Sequence, residues 1–168
     1  QVPLVLDEYG YKFELGKAKM IRDGRDVLVI SSGLMTMRAL EAATALQKDS
    51  VDVGVLHVPT IKPLDVEAIS REAGKAGRMV VVAENHTIVG GLGEAVAGVL
   101  MRGNVRPPAF YQIALPDQFL DAGALPTLHD RYGISTSQMI RSIRGWLARG
   151  AGGRPKGHRA GGDDEELH

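Results

Sequence analysis

The most chemically capable stretch of this 168-residue chain is Val80-Val-Val-Ala-Glu-Asn-His-Thr-Ile-Val-Gly-Gly-Leu-Gly-Glu-Ala-Val-Ala-Gly98. An apolar run ends in Glu84-Asn85-His86, and Gly90, Gly91 and Gly93 then open a helical pattern. A helix start offers backbone N–H groups to an anion, and glycine lets that anion come close. The stretch is not a dinucleotide fingerprint, because Val96 stands where the third glycine belongs and no acidic residue follows at the expected distance. It is not a P-loop either, since no Gly-Lys-Ser/Thr follows. Tight packing of strand on helix is the simpler use of these glycines.

His86 suits an acid–base group or an orienting donor at the strand end, or equally a hydrogen-bonded member of its own loop. His57 closes another apolar run and invites a metal pair with His86. If their strands are separated by a third, roughly 10 Å lies between them. Two imidazoles that share zinc must each come within about 2 Å of it, so no metal site is expected. Ser32-Gly33 has the look of a nucleophile turn, yet no G-x-S-x-G surrounds it. Ser32 is better placed as the cap of the helix that follows. Arg102, Arg106, Arg141, Arg144 and Arg149 are spread over separate elements, which suits a solvated or subunit-contacting face.

The elements that must position these residues are legible in the hydrophobic pattern. Continuous apolar runs predict strands buried on both faces over 26–32, 51–58, 78–84 and 109–115. A shorter, more polar edge strand is expected over 16–22, ended by Asp23-Gly24. Met35, Ala39, Ala42, Ala43 and Leu46 share one helix face. A second helix begins after Pro63, with Asp65 as its cap and Leu64 and Ile69 as a hydrophobic staple. The third carries Leu92, Val96, Val99 and Leu100. The last opens on a Ser135–Gln138 capping box with an Ile134–Met139 staple, and Ile140, Ile143, Trp146 and Leu147 form its buried face. Strands alternating with helices predict an α/β domain with a mainly parallel sheet.

Composition sets the outer bounds. Lys+Arg and Asp+Glu number 20 each, so there is no basic excess of the kind that neutralises nucleic-acid phosphates. The absence of cysteine excludes disulfides, thiol catalysis and cysteine-ligated metal. No apolar stretch is long enough to span a membrane and no signal peptide opens the chain, so a cytoplasmic domain is expected. Six of the thirteen residues from Gly150 to Gly162 are glycine and an acidic run follows, which predicts a disordered tail over 149–168. Residues 1–15 form an apolar N-terminal extension, and 16–148 the folded domain. Because the chain opens on Gln1, it is expected to be a piece of something longer.

Several segments together resemble the C-terminal domain of transketolase-type, thiamine-diphosphate-dependent enzymes. Gly16-Lys-Ala-Lys19, Gly24-Arg-Asp-Val-Leu-Val-Ile-Ser-Ser-Gly33 and Ala39-Leu-Glu-Ala-Ala43 resemble its opening strands and first helix. Thr60-Ile-Lys-Pro-Leu-Asp65 and Glu84-Asn-His86 with Gly90-Gly-Leu-Gly93 are similar to two inner motifs. Leu115-Pro-Asp-Gln-Phe119, Gly123 and Arg131-Tyr-Gly-Ile134 are similar to the closing stretch. Each motif is weak alone, whereas five in order are specific. Glu94 departs from the serine common at that position.

The resemblance implies a three-layer α/β/α sandwich on a five-stranded mixed sheet, order 1-3-2-4-5 with strand 1 antiparallel. It sets Ser31, Ser32 and Gly33 beside Glu84, Asn85 and His86 in one crevice, with Gly90, Gly91 and Gly93 as a possible anion turn. It also implies membership of a transketolase that moves two-carbon ketol units between sugar phosphates. Deoxyxylulose-phosphate synthase and the two-oxo-acid dehydrogenase beta subunit are its relatives. In that family thiamine diphosphate and magnesium sit on other domains, whose Gly-Asp-Gly motif is missing here. No cofactor, metal or catalytic residue is therefore expected on this chain. The expected partners are the cofactor-binding domains or subunit of the same enzyme, with homo-oligomer formation through dimers. The competing reading is a module that binds an anion at the glycine turn or docks a protein, as the dehydrogenase relatives dock an acyltransferase.

Overall fold

The computed structural model describes residues 5–150. A 3₁₀ turn (Val5–Tyr9) precedes β1 (Lys19–Arg22), β2 (Val27–Ser31), α1 (Leu34–Gln47), β3 (Val53–His57) and α2 (Val66–Ala73). Then follow β4 (Met79–Thr87), α3 (Leu92–Arg102), β5 (Phe110–Leu115), α4 (Leu125–Arg131) and α5 (Thr136–Gly150). The sheet order is β1-β3-β2-β4-β5, with β1 antiparallel to β3 and every other pair parallel. This is the mixed sheet the resemblance implies.

Alternation along the strands builds the three layers. Val27 and Val29 of β2 point to the side of α1 and α5, where Met35, Leu46, Met139 and Ile143 close one core. Leu28 and Ile30 point to the other side, against Ile69 of α2 and Leu92, Val96 and Leu100 of α3. Both faces of β2 are thus sealed, which is why its sequence is apolar without a break. Burying one such branched side chain contributes about 1.5–3 kcal/mol.

Local signals hold in detail at α2. Asp65 caps it by accepting from Ala68 N (3.0 Å), and its other oxygen accepts from Ala18 N (2.9 Å), tying the entry to β1 onto the same helix start. At α5 the box is half built: Gln138 N donates to Ser135 Oγ (3.2 Å), but the Gln138 side chain accepts from Arg141 instead of reaching back. Met139 and Ile143 are the fully buried residues of α5, while Ile140, Trp146 and Leu147 are partly covered. Trp146 stacks on Tyr111 of β5 at 4.3 Å.

Three expectations are corrected. Ser32 does not cap α1; Gly33 does, at φ 50°, and Ser32 contributes only its backbone, its N–H reaching Ala83 O (3.4 Å). The 78–84 strand continues to Thr87, with extra residues bulged out of β4 between Ala83 and Thr87 opposite β5. Residues 149 and 150 close α5 instead of opening a tail; the rest of that segment lies outside the described residues. No helix among the described residues is long and apolar enough to cross a membrane.

A buried ionic cluster pins the amino end of the sheet. Arg78, almost wholly buried, donates to Gly24 O (2.9 Å) and to the backbone oxygen and Oε2 of Glu72, the latter at 3.3 Å. Lys75 and Arg71 also reach the Glu72 carboxylate, at 2.6 and 3.2 Å. Burial alone would raise the pKa of Glu72, but the hydrogen bonds from Lys75, Arg71 and Arg78 outweigh it and hold the carboxyl below its ordinary range. Gly24 in turn has no room for a side chain, since a Cβ there would lie 2.1 Å from Gly54 N.

Candidate functional site

The carboxyl ends of β2, β3 and β4 lie side by side, with Ser31 level with His57 on one flank and Ala83 on the other. The polar groups there divide into two internal networks instead of facing the one open crevice that the resemblance implies.

The first network runs through Ser31, Thr36 and His57. Ser31 Oγ and Thr36 Oγ1 are 2.9 Å apart, and Thr36 Oγ1 lies 2.8 Å from His57 Nδ1. All three residues are buried. Tyr11 seals the far side, edge-on to the imidazole with centroids 5.0 Å apart. Burial pushes the His57 imidazole below its ordinary 6.5, so it is neutral at physiological pH. A neutral imidazole held in a hydroxyl chain under an aromatic lid orients its neighbours. The Tyr11 hydroxyl has burial as the cause of its own upward shift.

The second network belongs to Glu84. Its carboxylate is buried and accepts from Leu92 N (2.7 Å, Oε2) and Gly93 N (2.8 Å, Oε1), two of the N–H groups at the start of α3. A carboxylate at a helix amino end meets both the unpaired donors and the positive end of the dipole. The glycines follow from this contact. A Cβ at Gly91 would fall 2.1 Å from Glu84 Oε2, and one at Gly93 1.9 Å from Gln112 Nε2. Gly90 sits at φ 76° and donates to Glu94 Oε2 (2.8 Å). The donors that an outside anion would use are therefore engaged by the chain's own carboxylates, including Glu94, the residue that departs from the common serine.

The remaining predicted residues stand apart. Asn85 and His86 are exposed on the bulged part of β4, and His86 Nδ1 lies 3.0 Å from Thr87 O. Gly33 is exposed with open space around it. His57 and His86 are on strands separated by β2, and among the described residues no three His, Asp or Glu side chains gather as a metal site would require. A diphosphate–magnesium group does not fit here: its anion would meet Glu84 and Glu94, and no acidic set is assembled for the metal.

Sequence reasoning missed Thr36, which joins Ser31 to His57, and a second polar pin. Arg38 of α1 donates to Ile134 O (2.6 Å) and to His129 Nδ1 (2.6 Å), fastening α4 to the start of α5. Burial, then the Arg38 charge, lowers His129 and keeps it neutral, as its acceptor role requires. The signal for Thr36 was present, one helical turn into α1 beside a serine-terminated strand. That for Arg38 was not, because its partners lie more than ninety positions away.

Comparison with known proteins agrees with this architecture. The family described as "Transketolase, C-terminal domain" matches residues 16–139. An uncharacterized transketolase family protein of Sinorhizobium fredii is 70% identical over 146 residues, covering 87% of this chain and 42% of that one. The 6-deoxy-6-sulfo-D-fructose transketolase subunit SqwH of a Clostridium species is 36% identical, over 82% of this chain and 42% of that one. The 1-deoxy-D-xylulose-5-phosphate synthase of Heliobacterium modesticaldum is 33% identical, over 85% of this chain and 22% of that one. A solved split-gene transketolase, described as an inactive β4 tetramer, superposes with a TM-score of 0.74 at 31% identity, covering 83% of this chain and 45% of that one. The chain thus spans less than half the length of these relatives. With its sheet order, its glycine turn and this match in agreement, the chain belongs to the transketolase C-terminal domain family.

Proposed function

We propose that this chain is the C-terminal domain, or split subunit, of a thiamine-diphosphate-dependent enzyme that transfers two-carbon ketol units between sugar phosphates. It serves assembly and shape, and the transfer chemistry belongs to the partner domains. One observation carries this reading. At the carboxyl end of the sheet Ser31, Thr36 and His57 are bound to one another, and Glu84 and Glu94 to the turn and start of α3, which suits a fixed scaffold. Relatives that are a transketolase subunit and a split-gene transketolase support assembly from separate pieces. The synthase relative favours a second reading, in which the same scaffold serves deoxyxylulose-phosphate formation.

Combining the chain with the cofactor-binding portion of a transketolase-family relative tests this. Ketol transfer with thiamine diphosphate and magnesium is expected only in the mixture, and calorimetry of the chain alone with the same cofactors is expected to show no micromolar binding. Turnover by the lone chain would refute the accessory role. A mixture that makes only deoxyxylulose phosphate would move the assignment to the second reading.

A further inference from the structure

Exposed apolar surface on this domain is concentrated at one end. Among the described residues, every exposed large hydrophobic side chain except Met101 belongs to the connections at the carboxyl end of the sheet, to the first residue of the helix that follows one, or to the entry segment. Phe13 and Leu15 lie on that segment, Ile61 in the β3–α2 connection, Val89 in the β4–α3 turn, Phe119 in the β5–α4 connection and Leu125 at the start of α4. The opposite end carries more ion pairs, with Arg25 on Asp52, Arg144 on Asp49, and Lys75 near Asp23, against the single Arg131–Asp121 pair beside the rim among the described residues. Water covers scattered single apolar residues at little cost, whereas a rim gathered on neighbouring loops marks a face that something covers.

The path of the chain says what arrives there. Leu6 packs into the core cluster, Tyr11 lies on His57 at the end of β3, and Gly16 N donates to Thr60 Oγ1 (3.0 Å). The entry segment therefore reaches β1 across the apolar rim and stays far from the ionic end. The matched family is a C-terminal domain and all three relatives are more than twice as long as the matched part, so in such a polypeptide the portion before that domain leads in along this path. A neighbour delivered there meets the rim at high effective concentration.

We infer that this rim, with Val89 and Phe119 on its β4–β5 side, is the docking face for the portion of a transketolase-family polypeptide that precedes the C-terminal domain. The inference rests on the accessory-domain reading above and adds the surface that performs it. Val89 sits on the turn that Glu84 and Thr87 hold, its N–H donating to Thr87 Oγ1 (3.1 Å), and an anchor ordered before binding lowers the ordering cost.

The test co-expresses the 168-residue chain with that preceding portion of the Sinorhizobium fredii relative and measures association by sedimentation. Val89→Asp and Phe119→Asp carry a charge into the rim, and Met101→Asp places the same charge on the ionic side. All three positions are exposed, and melting followed by Trp146 fluorescence verifies that each variant folds. Each rim variant is expected to weaken association at least about tenfold, as loss of an interface anchor does, with Met101→Asp within about twofold of the parent. Rim variants that bind like the parent, while the parent binds well, overturn the inference and leave the accessory reading intact. A parent chain that does not associate at all refutes both. A dimer of this chain alone that Val89→Asp dissolves would give the rim to a second copy and overturn the assignment.

Discussion

Replacing Glu84 with alanine is expected to destabilise the domain by about 3 kcal/mol, the cost of leaving two buried amide donors without their charged acceptor. For a chain of this size that corresponds to a fall in melting temperature of about 9 °C. Leu92 N and Gly93 N would lose their partner together, and Gly91, which lets Glu84 approach, would border a void. Glu84→Gln keeps the shape but turns an amide NH₂ toward one of the N–H groups, so it should lose about half as much. Calorimetric melting of the three proteins measures this. A loss under about 1 kcal/mol for the alanine variant would mean that water replaces the carboxylate, and that the turn is not organised by it.

The second large effect is expected at the other buried carboxylate. Glu72→Ala removes the acceptor that faces Arg78 inside the domain, and a buried charge left without its partner costs about 3–5 kcal/mol. The Gly24 carbonyl, the backbone oxygen of residue 72 and the Asp23 carboxylate still accept from Arg78, which places the expectation at the lower end, about 3 kcal/mol. The pH dependence has a definite sign. Because the folded carboxyl is held below its ordinary 4.5, its contribution is complete above that pH and is lost as pH falls through the lowered value. The gap between parent and variant should therefore narrow in acid. Chemical denaturation at neutral pH and at successively lower pH reads both the size and the direction, and a gap that widens in acid would contradict the charge account.

How much of this was legible depended on sequence distance. The strands announced themselves because β2 and β3 are sealed on both faces and carry no polar interruption until Ser31 and His57. Asp65 was readable as a cap, since its acceptor role is local. α4 was not, because Ala124 offers no capping side chain, Pro126 sits in its first turn, and seven residues are too few to show a period. Ser32 was misread because propensity favours serine as a cap, while the turn into α1 needed the positive φ that Gly33 supplies. The glycine turn was visible and its partner was not. The sequence places Glu84 at a strand end, where exposure is ordinary; only the fold brings the carboxylate under the start of α3. An anion site and an internally capped helix share one sequence signature, and the burial of Glu84 separates them.

The central claim is that the carboxyl end of this domain supports the enzyme and takes no part in its chemistry, and His86 gives the most direct measurement of it. His86 is the exposed imidazole of the strand-end motif, free of both internal networks. In the assembled enzyme, His86→Ala is expected to leave kcat for ketol transfer within about twofold of the parent. A positioned general acid or base contributes about 10²–10⁴-fold, so a loss of that size, with assembly intact by sedimentation, would show that the domain acts in the reaction itself.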